Sequence, residues 1–226
     1  MIGNEAVYAN VWEQGIHCGH KGIEKVAYFL QEKLGVRIAT PNDVNTFAFC
    51  NYFVARSHFW DAYFEFIDRA LELLDAEAIK GSEVGLIYSG NGHYERDASA
   101  AMRVFIIERL FSSYLLQLDG RKIAAYAPTA NDYNSKFGAR LGDLLWNLSR
   151  VKQRAIATND ATLYGIWDRQ RTTLLADWHI NIIWNLDDPM VLTLTRDYRN
   201  FRNYSDELFA DGRSARYPAQ RSATPY

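Results

Sequence analysis

Residues 98–118, ASAAMRVFIIERLFSSYLLQL, decide how the rest of the chain is read. Met102, Val104, Phe105, Ile106, Ile107, Leu110, Phe111, Tyr114, Leu115 and Leu118 occupy several faces of a helix and leave no wide polar stripe. A helix that is apolar nearly all round belongs at the centre of a domain, not on its surface. Glu108 and Arg109 interrupt the run in its middle, and a buried charge is costly without a partner.

Upstream, residues 80–96 carry Gly81, Gly85, Gly90 and Gly92 and read as a polar loop flanking one short strand at 85–88. Before it, Ser57 is an N-cap candidate for a helix from His58 to about Leu74, with a wide stripe of Phe59, Trp60, Tyr63, Phe64, Ile67, Leu71 and Leu74. Residues 46–55 are rich in Phe, Tyr and Val and predict a strand. Residues 22–34 show helical spacing at Ile23, Val26, Ala27, Leu30 and Leu34, and Gly35 closes the helix. Residues 6–12 predict a further short strand.

Downstream of Pro128 the character changes. Asn131, Asp132, Asn134 and Ser135 read as a connector. Phe137, Leu141, Leu144, Leu145, Leu148 and Val151 then mark an amphipathic helix ending in a basic turn at Arg150, Lys152 and Arg154, where positive charge suits a helix C-terminus. Residues 161–186 predict another helix and 192–209 a last one; from Asp211 onward the composition is that of a tail without a core. The expected fold class is α+β, predominantly helical with a few short strands. Three regions follow: 1–127, a helical extension over 128–210, and a flexible tail over 211–226.

Of the 226 residues 48% are hydrophobic and 14% aromatic, and the net charge is −2, so no global field recruits nucleic acid. Cys18 and Cys50 make no disulfide framework and fit a reducing compartment. No run reaches the roughly 20 apolar residues needed to cross a bilayer, and no secretory signal is visible. A cytoplasmic protein is expected.

Candidate functional groups are isolated polar residues in apolar surroundings. Glu108 has Val104, Phe105, Phe111 and Ser112 as its helical neighbours, which suits either a structural anchor or a tuned carboxylate. Asp97 stands where the glycine-rich loop enters the central helix; it can cap that helix, orient or deprotonate a substrate hydroxyl, or do both. Asn51 lies in the aromatic run and offers amide donors and an acceptor, or simply faces outward from a half-buried strand. His17, Cys18 and His20 have metal-ligand atoms but no second ligand cluster at zinc-site spacing. Glu13, Gln14, His17 and His20 read instead as a polar loop before a helix N-terminus, where free amides favour anions. No phosphate-binding glycine loop, nucleophile elbow or Asp-x-Asp pair is present.

Trp12-Glu13-Gln14-Gly15 with His20-Lys21-Gly22-Ile23, then Phe49-Cys50-Asn51-Tyr52-Phe53-Val54-Ala55 with Phe59-Trp60, then Asp97 and Phe105-Ile106-Ile107-Glu108-Arg109-Leu110 follow one another in order. Over roughly residues 8–120 this series resembles the C-terminal, acceptor-side half of bacterial capsule and lipopolysaccharide glycosyltransferases of the GT-A type. The resemblance implies transfer of a sugar from a nucleotide sugar to a glycan acceptor in surface-polysaccharide synthesis. It implies Asp97 and Glu108 as catalytic acids, and Asn51, Arg109, Glu13, His17, His20 and Tyr94 as substrate-binding groups. The nucleotide-binding half with its acidic metal motif is missing from the pattern. A manganese or magnesium ion is therefore implied only where a donor site is completed, by a partner chain or by a homo-oligomer.

Two other readings stand beside this one. A non-catalytic carbohydrate-binding or protein-interaction module would use exposed rings such as Trp167, Trp178 and Trp184 to stack on sugars, although helical spacing equally suits core packing. A structural subunit would use the second-half helices as an oligomer interface.

Overall fold

The computed structural model describes residues 2–48, 53–92, 100–118 and 123–177. Their regular structure is helical: α1 (Asn4–Val7), α2 (Val11–His17), α3 (Ile23–Leu34), α4 (Ser57–Lys80), α5 (Glu83–Ser89), α6 (Met102–Leu115), α7 (Ala130–Thr158) and α8 (Ala161–Asp177). Among the described residues the sole β feature is an isolated antiparallel bridge between Asn91 and Ala101. The chain is predominantly helical, and none of the three predicted strands forms among them.

Each correction has a local cause. Residues 6–12 break into α1 and α2 because Asn10 turns extended and its side chain accepts from the amides of Trp12 and Glu13, starting a helix there. Ala6, Val7 and Tyr8 are buried on every side, and that burial imitated a strand. In 46–55 the described residues are irregular. Asp43 gathers the amides of Asn45 and Thr46 into a tight turn, and Phe53 lays its ring on Phe111 and Trp60 instead of entering a ladder. Residues 83–89 are helix α5, capped by Ser82; Gly85 is there for close packing, not for flexibility.

Other boundaries shift as well. Arg56, not Ser57, is the N-cap of α4, and that helix continues to Lys80. The expected connector at 131–135 is the first turn of α7, because Thr129 and Asp132 form a reciprocal capping box that satisfies the free amides. At Gly138 (φ 76°, ψ 161°) α7 kinks. The helix over 22–34 stands as expected, with Gly35 left-handed at its end (φ 66°). The central helix is described from Met102 and α8 as far as Asp177. The expected helix at 192–209 and the tail at 211–226 lie outside the described residues.

Two cores organise the molecule. The larger gathers α2, α3, α4 and α5 around α6, with Trp12, Leu30, Leu74, Ile106 and Leu110 nearly solvent-free. The smaller holds α1 between α7 and α8 around Tyr8, Tyr133, Leu145 and Trp167. Phe47 packs against both. No described helix is long and apolar enough to cross a membrane.

Candidate functional site

The main cavity, about 1260 Å³, is lined by segments from both cores. Phe47, Phe53, Phe59 and Phe111 supply aromatic walls; Glu5, Asn45, Arg56, His58 and Tyr126 supply polar groups. The walls are interlocked. Phe53 stacks on Phe111 with ring centroids 3.7 Å apart and on Trp60 at 4.8 Å, while Phe59 meets Tyr114 edge to face at 5.4 Å. Such pairs hold ring orientation beyond what burial alone achieves. A mostly apolar hollow with a few fixed polar groups is the usual form of a small-molecule site.

The start of α4 opens onto this cavity through Arg56, His58 and Phe59. Its N-terminus has no side-chain cap and no acid in its first turn. Free amides and the helix dipole there favour an anion, and Arg56 adds positive charge.

At another part of the wall stands Glu5, only 5% exposed. One carboxylate oxygen accepts from the Gly3 amide at 2.9 Å and the other from the Tyr133 hydroxyl. Burial, and then the Glu5 charge, push the Tyr133 phenol well above its ordinary pKa. Lys152 lies behind α1, fully buried, with its Nζ 2.9 Å from the Glu5 carbonyl and 2.7 Å from the Tyr8 carbonyl. Desolvation drives its pKa down to about 7, against the opposing pull of Glu5 and Glu13. Trp167 donates to the Ala6 carbonyl at 2.7 Å and Arg171 to the Val7 carbonyl at 3.2 Å. All four carbonyls from Glu5 to Tyr8 are thus met by side chains of α7 and α8, where a one-turn helix would otherwise leave them bare.

The residues singled out from the sequence fall elsewhere. Arg109 turns inward from α6, its Nε donating to the Val11 carbonyl (2.9 Å), Nη1 to the Phe105 carbonyl (2.8 Å) and Nη2 to Gln14 Oε1 (2.7 Å). It ties α2 to α6. Glu13 accepts from the Ala9 amide and from Arg171 at 2.6 Å. The Nδ1 of His20 donates to the Gly92 carbonyl at 2.8 Å, and the ring stacks on Phe105 at 3.9 Å. His17 is exposed, with its ring 5.4 Å from that of Tyr8, and partial burial lowers its pKa. Glu108 is partly exposed on α6.

None of Glu13, His17, His20, Glu108 and Arg109 lines the main cavity. His17 and His20 also face different neighbours, so they do not converge as a ligand pair. Asn51, Tyr94 and Asp97 lie outside the described residues, as do Trp178 and Trp184. Trp167 is described and fully buried, which makes it a core residue rather than a stacking surface.

Sequence reasoning passed over Glu5, Tyr133 and Arg171 and misplaced Lys152: α7 runs on to Thr158, so the expected basic C-terminal turn at 150–154 is helix interior, and Lys152 is fully buried there. A signal for Lys152 was available: it stands four residues after Leu148 and seven after Leu145, on the apolar stripe of its helix rather than beside it. Glu5 carried no comparable signal, because its burial depends on helices more than a hundred residues away. Compared with family models, with curated proteins and with solved structures, the chain matches none.

Proposed function

We propose that the chain is a glycosyltransferase-like protein of surface-polysaccharide synthesis that holds a glycan in the aromatic cavity. The observation carrying this reading is the cavity itself: four phenylalanine walls, polar groups among them, and direct continuity with residue 53, two positions after Asn51. Aromatic walls accept the C–H groups of sugars, Phe53 and Phe111 by their edges because they are stacked on each other, and the polar groups answer the hydroxyls. The uncapped start of α4 beside Arg56 suits the phosphates of a nucleotide sugar or of a phosphorylated acceptor. Asp97 remains the candidate acid of the transfer step on the sequence resemblance alone, and Glu108, which stands off the cavity on α6, would on the same resemblance support it from the central helix.

Calorimetric titration with uridine-, guanosine- and thymidine-diphosphate sugars, with and without manganese, tests the donor side. A glycan array tests the acceptor side. Binding in either arm is the expected result; silence in both removes the reading. Where transfer is detected, Asp97→Asn and Glu108→Gln should abolish it, and unchanged turnover in both refutes their roles.

A second reading is a carbohydrate-binding module without catalysis. It is favoured by Arg109 and Glu13, whose polar groups are engaged in internal bonds and not turned to a ligand. Glycan binding with no transfer to any donor–acceptor pair would select it.

A further inference from the structure

We propose that Glu5 is the carboxylate that binds a hydroxyl of the sugar held in the aromatic cavity, an assignment that rests on the glycan reading above. Glu5 is the one carboxylate among the residues described as lining that cavity. Its side chain is held from two directions, by the Gly3 amide on Oε2 and the Tyr133 hydroxyl on Oε1. A carboxylate offers about four acceptor positions, so these two bonds fix its orientation while leaving capacity for a ligand hydroxyl.

A buried acid requires compensation, and it is present. Lys136, with its Nζ on the Ile2 carbonyl at 2.9 Å, and Lys152, on the carbonyl of Glu5 itself, both experience the Glu5 charge. Neither forms a direct ion pair with the carboxylate, so its oxygens are not consumed by a cation. The backbone beneath Glu5 is fixed by Lys152, Trp167 and Arg171 through the carbonyls of residues 5–8. A rigid carboxylate at an aromatic wall, each oxygen oriented by one protein donor and with lone pairs to spare, is the arrangement by which a site reads hydroxyl direction as well as shape.

The test uses the whole chain and a panel of methyl glycosides and disaccharides of the common hexoses and hexosamines, with affinity measured by ligand-observed NMR. Glu5→Gln keeps the shape and removes the charge; Tyr133→Phe removes a support and keeps the charge. Both should melt lower than wild type. On the wild type's best ligand, Glu5→Gln should lose about tenfold or more in affinity, the loss of a charge-assisted bond, whereas Tyr133→Phe should lose less than about threefold. Equal affinity in Glu5→Gln and wild type overturns the assignment and leaves the glycan reading standing. Losses that track the fall in melting temperature in both variants make Glu5 a structural anchor and also overturn it. A wild type that binds no member of the panel and no nucleotide sugar removes both ideas.

Discussion

The ammonium of Lys152 lies 2.7 Å from the carbonyl oxygen of Tyr8, across 144 residues of chain and with no solvent exposure. The same group caps Glu5, and the rings of Phe47 and Trp167 stand 5.2 and 5.3 Å away. Carbonyls and ring faces replace only part of the water that this cation gives up, and its pKa falls accordingly. The N-terminal turn is thereby bound into the α7–α8 hairpin much as an extended ligand would be.

Lys152→Met should destabilise the fold by roughly 3 kcal/mol, because it leaves the Glu5 and Tyr8 carbonyls buried and unmet. The pH dependence has a definite sign. With a folded pKa of about 7 against an ordinary 10.5, the unfolded chain holds a proton that the folded chain lacks between those two values. Stability therefore rises with pH across that window, by a few kcal/mol in order of magnitude, and is flat with respect to this group below about pH 7. Urea unfolding between pH 7 and 9 reads the slope below the range where the tyrosines titrate. The slope should be absent in Lys152→Met, and an equal slope in the variant would assign it to another group.

Arg109 and Gly15 should behave as one unit. A Cβ built on Gly15 comes within 2.8 Å of Arg109 Nε, and the guanidinium cannot step aside without losing its three bonds. Gly15→Ala should cost about 1–2 kcal/mol, and Arg109→Lys about 2–4 kcal/mol, since an ammonium cannot reproduce the fork. In the background of Arg109→Ala the Gly15→Ala penalty should largely disappear. Additive losses in that double-mutant cycle would contradict the steric account.

Gly85 marks where α5 meets α4. A Cβ at this position falls 2.1 Å from the Glu77 carbonyl oxygen, which is backbone and cannot rotate away. Gly85→Ala should therefore lower stability by about 3 kcal/mol despite the better helix propensity of alanine, worth about 1 kcal/mol in the opposite direction. Chemical denaturation checks it, and a neutral or stabilising outcome would mean that the two helices sit farther apart.

Gly85 also shows why the sequence misled at this point. Four glycines in 80–96 read as a polar loop around a short strand, yet Gly85 serves close helix contact and Gly81 is a left-handed helix end (φ 66°). The central helix, the helix over 23–34 and the amphipathic stripe of α7 were legible because their apolar spacing is local information. Strand propensity at 6–12 and in the described part of 46–55 was overridden by capping side chains and tertiary packing, which no local window contains. The site was less legible still. Arg109 was expected to bind substrate, but its bonds run to Val11 and Gln14, 98 and 95 residues earlier, and make it a strut between α2 and α6. Glu5 becomes noticeable only once α7 and the cavity wall are in place.

Trp167 provides the last separation between packing and recognition. An indole available for sugar stacking would expose a face, but this one is wholly buried, with its Nε1 spent on the Ala6 carbonyl and Arg171 4.5 Å from its ring centre. Trp167→Phe keeps most of the volume and removes the donor, leaving that carbonyl buried and unpaired at a cost of about 1–3 kcal/mol. Thermal denaturation should report the loss, while affinity for any glycan found on the array should stay within about twofold of wild type, since a residue walled off from the cavity can act on a ligand only through the fold. A variant of unchanged stability that no longer binds the glycan would reverse the assignment and make Trp167 a recognition residue after all.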